Sequence, residues 1–194
     1  MKEKETSCAQ PDWARQVRLQ RIGKESTHQL SQLFTSTFTA SQGAEEGALI
    51  GGLVEKLGAI IDSRKIHCFG AVVSDQLIGA IFFTGLQYTD GTEIPMLAPV
   101  AVAPSHQRQG IGKTLIRYGL NQLATDGALA VVTYGDPSYY GTIGFQPLSE
   151  NVLRAPMDLS MPHGWQALSL AGVPIQPRAE QPECVEAFRN AAYW

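Results

Sequence analysis

Leu97-Ala98-Pro99-Val100-Ala101-Val102-Ala103-Pro104-Ser105-His106-Gln107-Arg108-Gln109-Gly110-Ile111-Gly112-Lys113-Thr114-Leu115 begins as an apolar strand, bends through a short polar stretch and opens a helix on two closely spaced glycines. That order builds an anion cradle. The first N–H groups of a helix lack intrahelical partners and carry the positive end of its dipole. Glycine removes the Cβ that would keep a phosphate off the backbone. Arg108 and Lys113 add side-chain charge, so a diphosphate ligand is expected here. Spacing rejects two phosphate motifs. A P-loop requires glycine five positions before Gly112, where Gln107 stands, and a dinucleotide fingerprint counted from Gly110 requires Gly or Ala where Leu115 stands. A third pattern, Gln/Arg-x-x-Gly-x-Gly/Ala after a strand, is met by Gln107, Gly110 and Gly112.

Periodicity predicts the elements around this segment. Upstream, Arg15 to Ile22 alternates like a half-exposed strand. Leu30, Leu33, Phe34, Thr37 and Phe38 share one face of a helix from about Lys24 to Thr39. Leu49, Ile50, Leu53, Leu57, Ile60 and Ile61 form the stripe of a second helix, Ala44 to Ile61, which Gly51-Gly52 weakens. Ile66–Ser74 and Gln76–Tyr88 read as a hairpin, and Ile94–Val102 as a strand that Pro95 and Pro99 mark as an edge or a bulge. Downstream come a helix over Gly110–Thr125 and an apolar central strand over Ala128–Tyr134. A short helix at Pro137–Thr142, strands at Phe145–Leu148 and Trp165–Leu170, and a short helix after Pro182 complete the pattern. The order is that of an α/β (α+β) protein with a mixed sheet.

The Gln107–Gly112 pattern resembles the pyrophosphate-binding motif of the GNAT acetyltransferases. Leu97–Pro104 resembles that family's fourth strand, and Gly135-Asp136-Pro137-Ser138-Tyr139-Tyr140-Gly141-Thr142-Ile143-Gly144-Phe145 its Tyr-x-x-x-Gly-Phe segment. The Gly-Asp-Pro-x-Tyr-Tyr wording is similar to a bacterial subgroup of N-acetyltransferases. The resemblance implies a mixed central sheet of six to seven strands flanked by helices and splayed between the fourth and fifth strands. It implies acetyl-CoA as acyl donor, with no metal. Gln107, Arg108, Gln109, Gly110, Ile111, Gly112, Lys113 and Thr114 would hold the diphosphate, and backbone groups of Val100 and Val102 the pantetheine arm or the acetyl carbonyl. A primary amine of a small molecule or peptide would attack the thioester directly in a ternary complex, and Tyr140 would be the general acid. Glu93, Glu45 and Glu46 stand as alternatives for the base. Acceptor contacts are expected from the first two helices, from Asp90–Glu93 and from the segment after Phe145. The resemblance also allows pairing into a homodimer.

Other residues have plainer readings. Asp136 before Pro137 reads as a turn or N-cap residue, Tyr139 as packing and Cys68 as core. His28, His67, His106 and His163 show no metal-ligand spacing, and no serine has a nucleophile-elbow context.

Composition sets the bounds. A chain of 194 residues with 44% hydrophobic and 17% charged residues encloses one sizeable core. The expected division is a polar lead-in at 1–13, a catalytic domain at 14–171 and a C-terminal extension at 172–194 on or near it. A net charge of −3 offers no global field for nucleic acid or anionic lipid, so neither nucleic acid nor membrane is an expected partner. Cys8, Cys68 and Cys184 make no Cys-x-x-Cys pair, and no signal-like or membrane-length apolar run is present, so a cytoplasmic location is expected. Two rival functions remain: an acyl-CoA-binding regulatory domain without turnover, and transfer of longer acyl groups.

Overall fold

A computed structural model describes residues 17–61 and 66–194. Seven strands form one sheet in the order β1-β2-β3-β4-β5-β7-β6. They are β1 (Arg18–Arg21), β2 (Ile66–Val73), β3 (Gln76–Gln87), β4 (Glu93–Val102), β5 (Ala130–Tyr134), β6 (Gln146–Pro147) and β7 (Trp165–Ser169). All neighbours are antiparallel except β4 and β5, which run parallel. The β2–β3 turn falls on Ser74 and Asp75, both with positive φ (47° and 62°), the primed geometry that matches the twist of a two-residue hairpin. Arg15 and Gln16, expected in the first strand, lie outside the described residues.

Both faces of the sheet are covered, which is why β2 to β5 read as continuous apolar runs. On one face lie α1 (Thr27–Gln42) and α2 (Ala44–Gly58), over Cys68, Phe82, Met96 and Val132. On the other lie α3 (Ile111–Thr125) and the short α4 (Pro137–Tyr140), over Phe69, Ile81, Phe83, Leu97 and Val131. Phe34 of α1 is fully buried, with its ring 5.8 Å from Phe82 and 6.3 Å from Phe38. Among the described residues, no helix is long and apolar enough to cross a membrane.

The glycines of α2 are explained by α1. A Cβ on Gly47 would strike Thr39, one on Gly51 would strike Thr35, and one on Gly58 would strike Thr27. The two helices meet along these glycines and threonines, and Ser31 donates to a Glu55 carboxylate oxygen within the same seam (3.2 Å). Gly52 faces open space. The second helix stops at Gly58 rather than Ile61, and Ile60, expected on the buried stripe, is 42% exposed because the chain leaves the helix before reaching it. The first helix begins at Thr27, after a tight turn over Lys24–Ser26.

The segment beyond β7 crosses the α1–α2 side. Gln87 and Glu183 exchange backbone hydrogen bonds (2.8 and 2.9 Å), and Arg178 pairs with Asp90 at 2.7 Å while covering the Tyr88 ring. Phe188 and Trp194 are buried, and Trp194 stacks on Tyr134 at 6.1 Å. The helix expected after Pro182 is two single turns, Glu186–Phe188 and Ala191–Tyr193.

Gly51 and Gly52 therefore respond oppositely to substitution. Gly51→Val overpacks the α1 contact and lowers stability by about 2 kcal/mol. Gly52→Ala raises it by about 0.5–1 kcal/mol by removing a helical glycine. Urea unfolding of the two variants checks both signs.

Candidate active site

The site begins with one extra residue in β4. Ile81 pairs with Val100 and Phe83 with Leu97, so Phe82 alone faces both Ala98 and Pro99. Proline has no N–H to lose from the ladder and suits such a bulge. The insertion resets the alternation of faces: Leu97, Val100 and Val102 all pack on the α3 side, while Ala98 and Ala101 pack on the α1 side. Without it, Val100 and Val102 would point opposite to Leu97.

At the same point β4 leaves β5. The two pair only at Met96–Val132 and Leu97–Thr133, and the buried Thr133 hydroxyl donates to the Leu97 carbonyl at 2.9 Å. From Ala98 to Val102, β4 has no partner on that side among the described residues. The result is a wedge with its vertex at Leu97 and Thr133.

The cradle stands at the open end. Gln107 donates its side-chain amide to the Val102 carbonyl at 2.9 Å and so clamps the turn to the end of β4. Arg108 (φ 59°) and Gly110 (φ 89°) are both left-handed, an arrangement that turns successive amides outward as an anion-binding nest. The first helical bond is Thr114 N–H to Gly110 C=O at 3.0 Å. Among the described residues, no acceptor meets the amides of Arg108 through Lys113. Gln107, Arg108, Gln109, Gly110 and Thr114 are exposed, Gly112 and Lys113 half-buried, and Ile111 is anchored in the core. Neither Arg108 nor Lys113 forms an ion pair among the described residues. This run of amides, with no side chain beyond Cα at Gly110 and Gly112, fits a diphosphate.

Tyr140 stands at the other end. Asp136 caps α4, accepting from the Ser138 amide (2.8 Å) and hydroxyl (2.7 Å), and these bonds hold its carboxyl below the usual range. The plain N-cap reading of Asp136 therefore describes its contacts fully. The Tyr140 ring meets Phe145 edge-on at 5.7 Å, and a Cβ on Gly135 would lie 2.8 Å from it. Burial pushes its phenol up to about 12, while the nearby Thr133 hydroxyl works in the opposite direction. Tyr140 thus meets the residue that marks the vertex, as a neutral acid. Tyr139, read as packing from sequence, does pack on Tyr140 at 5.2 Å. Its hydroxyl, however, reaches the first turn of α3 beside Gly112, which nothing in the local sequence signals.

The remaining candidates lie elsewhere. Glu93 is four residues before Leu97, about 13 Å along the strand. It accepts from Gln87 and borders a cleft of about 830 Å³ with Arg21, His67 and Asp126, at the far end of β4 from the cradle. Burial, and then Arg21, lower the His67 pKa. Glu45 and Glu46 lie in the first turn of α2, where the Glu46 carboxylate adds to the burial that raises Tyr193. Among the described residues, no three His, Cys, Asp or Glu side chains could hold a metal ion together. Cys68 is fully buried, and burial alone raises its thiol.

The sequence model of the Acetyltransferase (GNAT) family matches residues 27–145. The chain belongs to the GNAT family of acetyltransferases. It is 30% identical over 138 residues to the uncharacterized N-acetyltransferase YjhQ of Escherichia coli (strain K12), covering 68% of this chain and 74% of that one. Its fold is shared with the crystal structure of YhbS from Escherichia coli in complex with CoA (TM-score 0.72, 23% identity, 91% of this chain and 93% of that one). It is shared also with a GNAT acetyltransferase from Brucella melitensis in complex with acetyl-CoA (TM-score 0.68, 24% identity, 89% and 97%).

The Tyr140 shift carries a stability consequence. Its native pKa lies above the unfolded value, so the unfolded chain loses its phenolic proton first and stability falls as pH rises from about 10 toward 12. Tyr140→Phe removes that contribution. Urea midpoints between pH 9 and 11 should fall less steeply for the variant than for the parent protein.

Proposed function

We propose that this chain binds acetyl-CoA along the wedge between β4 and β5 and acetylates a primary amine of a small molecule or peptide. The observation that carries the reading is the run of acceptor-free amides from Arg108 to Lys113 at the open end of a wedge whose vertex meets Tyr140. Main-chain amides there bind the doubly charged diphosphate, and Arg108 and Lys113 add long-range attraction. Backbone groups of Val100 and Val102 line the unpaired stretch of β4 and orient the pantetheine arm. Acetyl-CoA, when bound, supplies the acetyl group as an activated thioester.

The protein's own contributions are positioning and proton transfer. Tyr140 holds its proton throughout the physiological range, as any phenol titrating at or above about 10 does, and donates it where the thiolate departs. The amine is deprotonated by water or a carboxylate, with Glu93, Glu45 and Glu46 as the candidates. Residues 14–171 serve as the catalytic domain. Residues 172–194 are an extension whose contacts with Asp90, Gln87 and Tyr134 support a role in shaping the acceptor side. The Gly135–Tyr140 wording favours the bacterial subgroup it resembles, and sparse cysteines suit a cytoplasmic location.

Calorimetry should detect CoA and acetyl-CoA binding to the folded protein, and a panel of amines should release free thiol from acetyl-CoA. Tyr140→Phe should lower kcat on the order of 10²-fold with coenzyme affinity retained. Absence of any coenzyme affinity would refute the reading, and an unchanged rate would remove Tyr140 from the mechanism.

A further inference from the structure

The geometry points to Tyr139 as a second coenzyme-binding group, whose phenol hydrogen-bonds the diphosphate–pantetheine end of the bound coenzyme. The inference rests on the coenzyme reading above and divides two adjacent tyrosines between binding and proton transfer.

Three groups from separate elements converge at the open end of the wedge. A Cβ built on Gly112 would lie 2.6 Å from the Tyr139 hydroxyl oxygen and 3.5 Å from Val102 Cγ2. The end of β4, the first turn of α3 and the α4 phenol therefore meet at one place. The amides of Ile111, Gly112 and Lys113 in that turn have no acceptor among the described residues. An anionic oxygen seated on them comes within reach of the phenol.

The hydroxyl has no hydrogen-bond partner among the described residues, although the side chain is half-buried. Its oxygen is not among the enclosed side-chain atoms that lack a partner, so it stands open to a ligand at this mouth. The ring is held in place before any ligand arrives: it meets Tyr140 edge-on, its backbone amide donates to Asp136 at 3.1 Å, and its carbonyl accepts from the Thr142 hydroxyl at 2.6 Å. A donor fixed in this way loses little entropy on binding. Burial raises its pKa further above that of a phenol that is already a neutral donor through the physiological range.

Position separates its task from that of Tyr140. Tyr140 meets Thr133, which pairs with Leu97 at the vertex, whereas Tyr139 meets Gly112 and Val102 at the mouth. Leu97 and Val102 face partners four residues apart on β3, roughly 13 Å of strand, and the two tyrosine rings bridge part of this span with centroids 5.2 Å apart. A group at the mouth contributes equally to ground state and transition state, so its loss appears in affinity rather than in turnover.

The test is calorimetric titration of CoA into the parent protein, Tyr139→Phe and Tyr140→Phe, with thermal melting of each without coenzyme. Tyr139→Phe should weaken CoA binding about tenfold, the size of one hydrogen bond to a charged group, with its melting temperature unchanged. Tyr140→Phe should bind like the parent. Gly112→Ala, whose new methyl displaces the phenol, should weaken binding in the parent and weaken it less when Tyr139 is already Phe. Equal CoA affinity in the parent and Tyr139→Phe overturns this inference and leaves the coenzyme reading intact. So does an affinity loss in Tyr139→Phe that is matched by a drop in melting temperature. Failure of the parent protein to bind CoA overturns both.

Discussion

The structure turns on how little of β5 is paired to β4. Among the described residues, two residue pairs and one threonine hydroxyl hold the only parallel contact in the sheet, and β4 then continues for five residues with β3 as its one neighbour. The bulge at Ala98–Pro99 makes this workable. It re-aims β4 so that Val100 and Val102 stay on the α3 side, and it falls where proline costs the ladder no donor. A strand side left unpaired inside a sheet would ordinarily leave main-chain groups unsatisfied. Under the proposed reading, that stretch is the surface on which a coenzyme arm would lie.

Everything else supports that parting. On one side α3 and α4 bring their ends to the wedge, α3 with its exposed amides and α4 with two tyrosines. Each end is set by local chemistry: the left-handed Arg108 and Gly110 before α3, and Asp136 and Pro137 before α4. On the other side, α1 and α2 close tightly along glycines and threonines and cover the α1 face of β3 and β4. The C-terminal segment completes that face by tying β3, the β3–β4 turn and Tyr134 together. Surface ion pairs such as Arg178–Asp90 contribute little by themselves. Buried Phe188 and Trp194 do more, because they remove large apolar area from water.

The chemistry implied is modest in its demands. No strongly shifted carboxylate or activated nucleophile stands at the vertex, only a phenol held neutral by burial. That suits a reaction between a good leaving group and a free amine, where placement of the two reactants supplies most of the acceleration. The cleft between Arg21 and Glu93 lies at the far end of β4 from the cradle.

Several features were legible in the chain alone. Apolar residues at helical or alternating spacing marked the main helices and strands, and Gln107-x-x-Gly110-x-Gly112 marked the cradle, because both depend on residues within a turn or two of each other. The irregular strand at Pro99 could be named for the same reason, whereas Tyr140 was singled out only by the resemblance of Gly135–Phe145 to a family segment. Element ends were less clear: Ile60 fits the apolar stripe of α2, yet the helix stops at Gly58. Gly51-Gly52 looked like weakness until Thr35 supplied the reason for one of them. Tyr139 looked like packing until Gly112, 27 residues earlier, came to lie beside its hydroxyl. Local spacing encodes the period of an element and the chemistry of a turn. It does not encode which distant residue will fill the space next to a glycine, and that was decided only when the chain closed on itself.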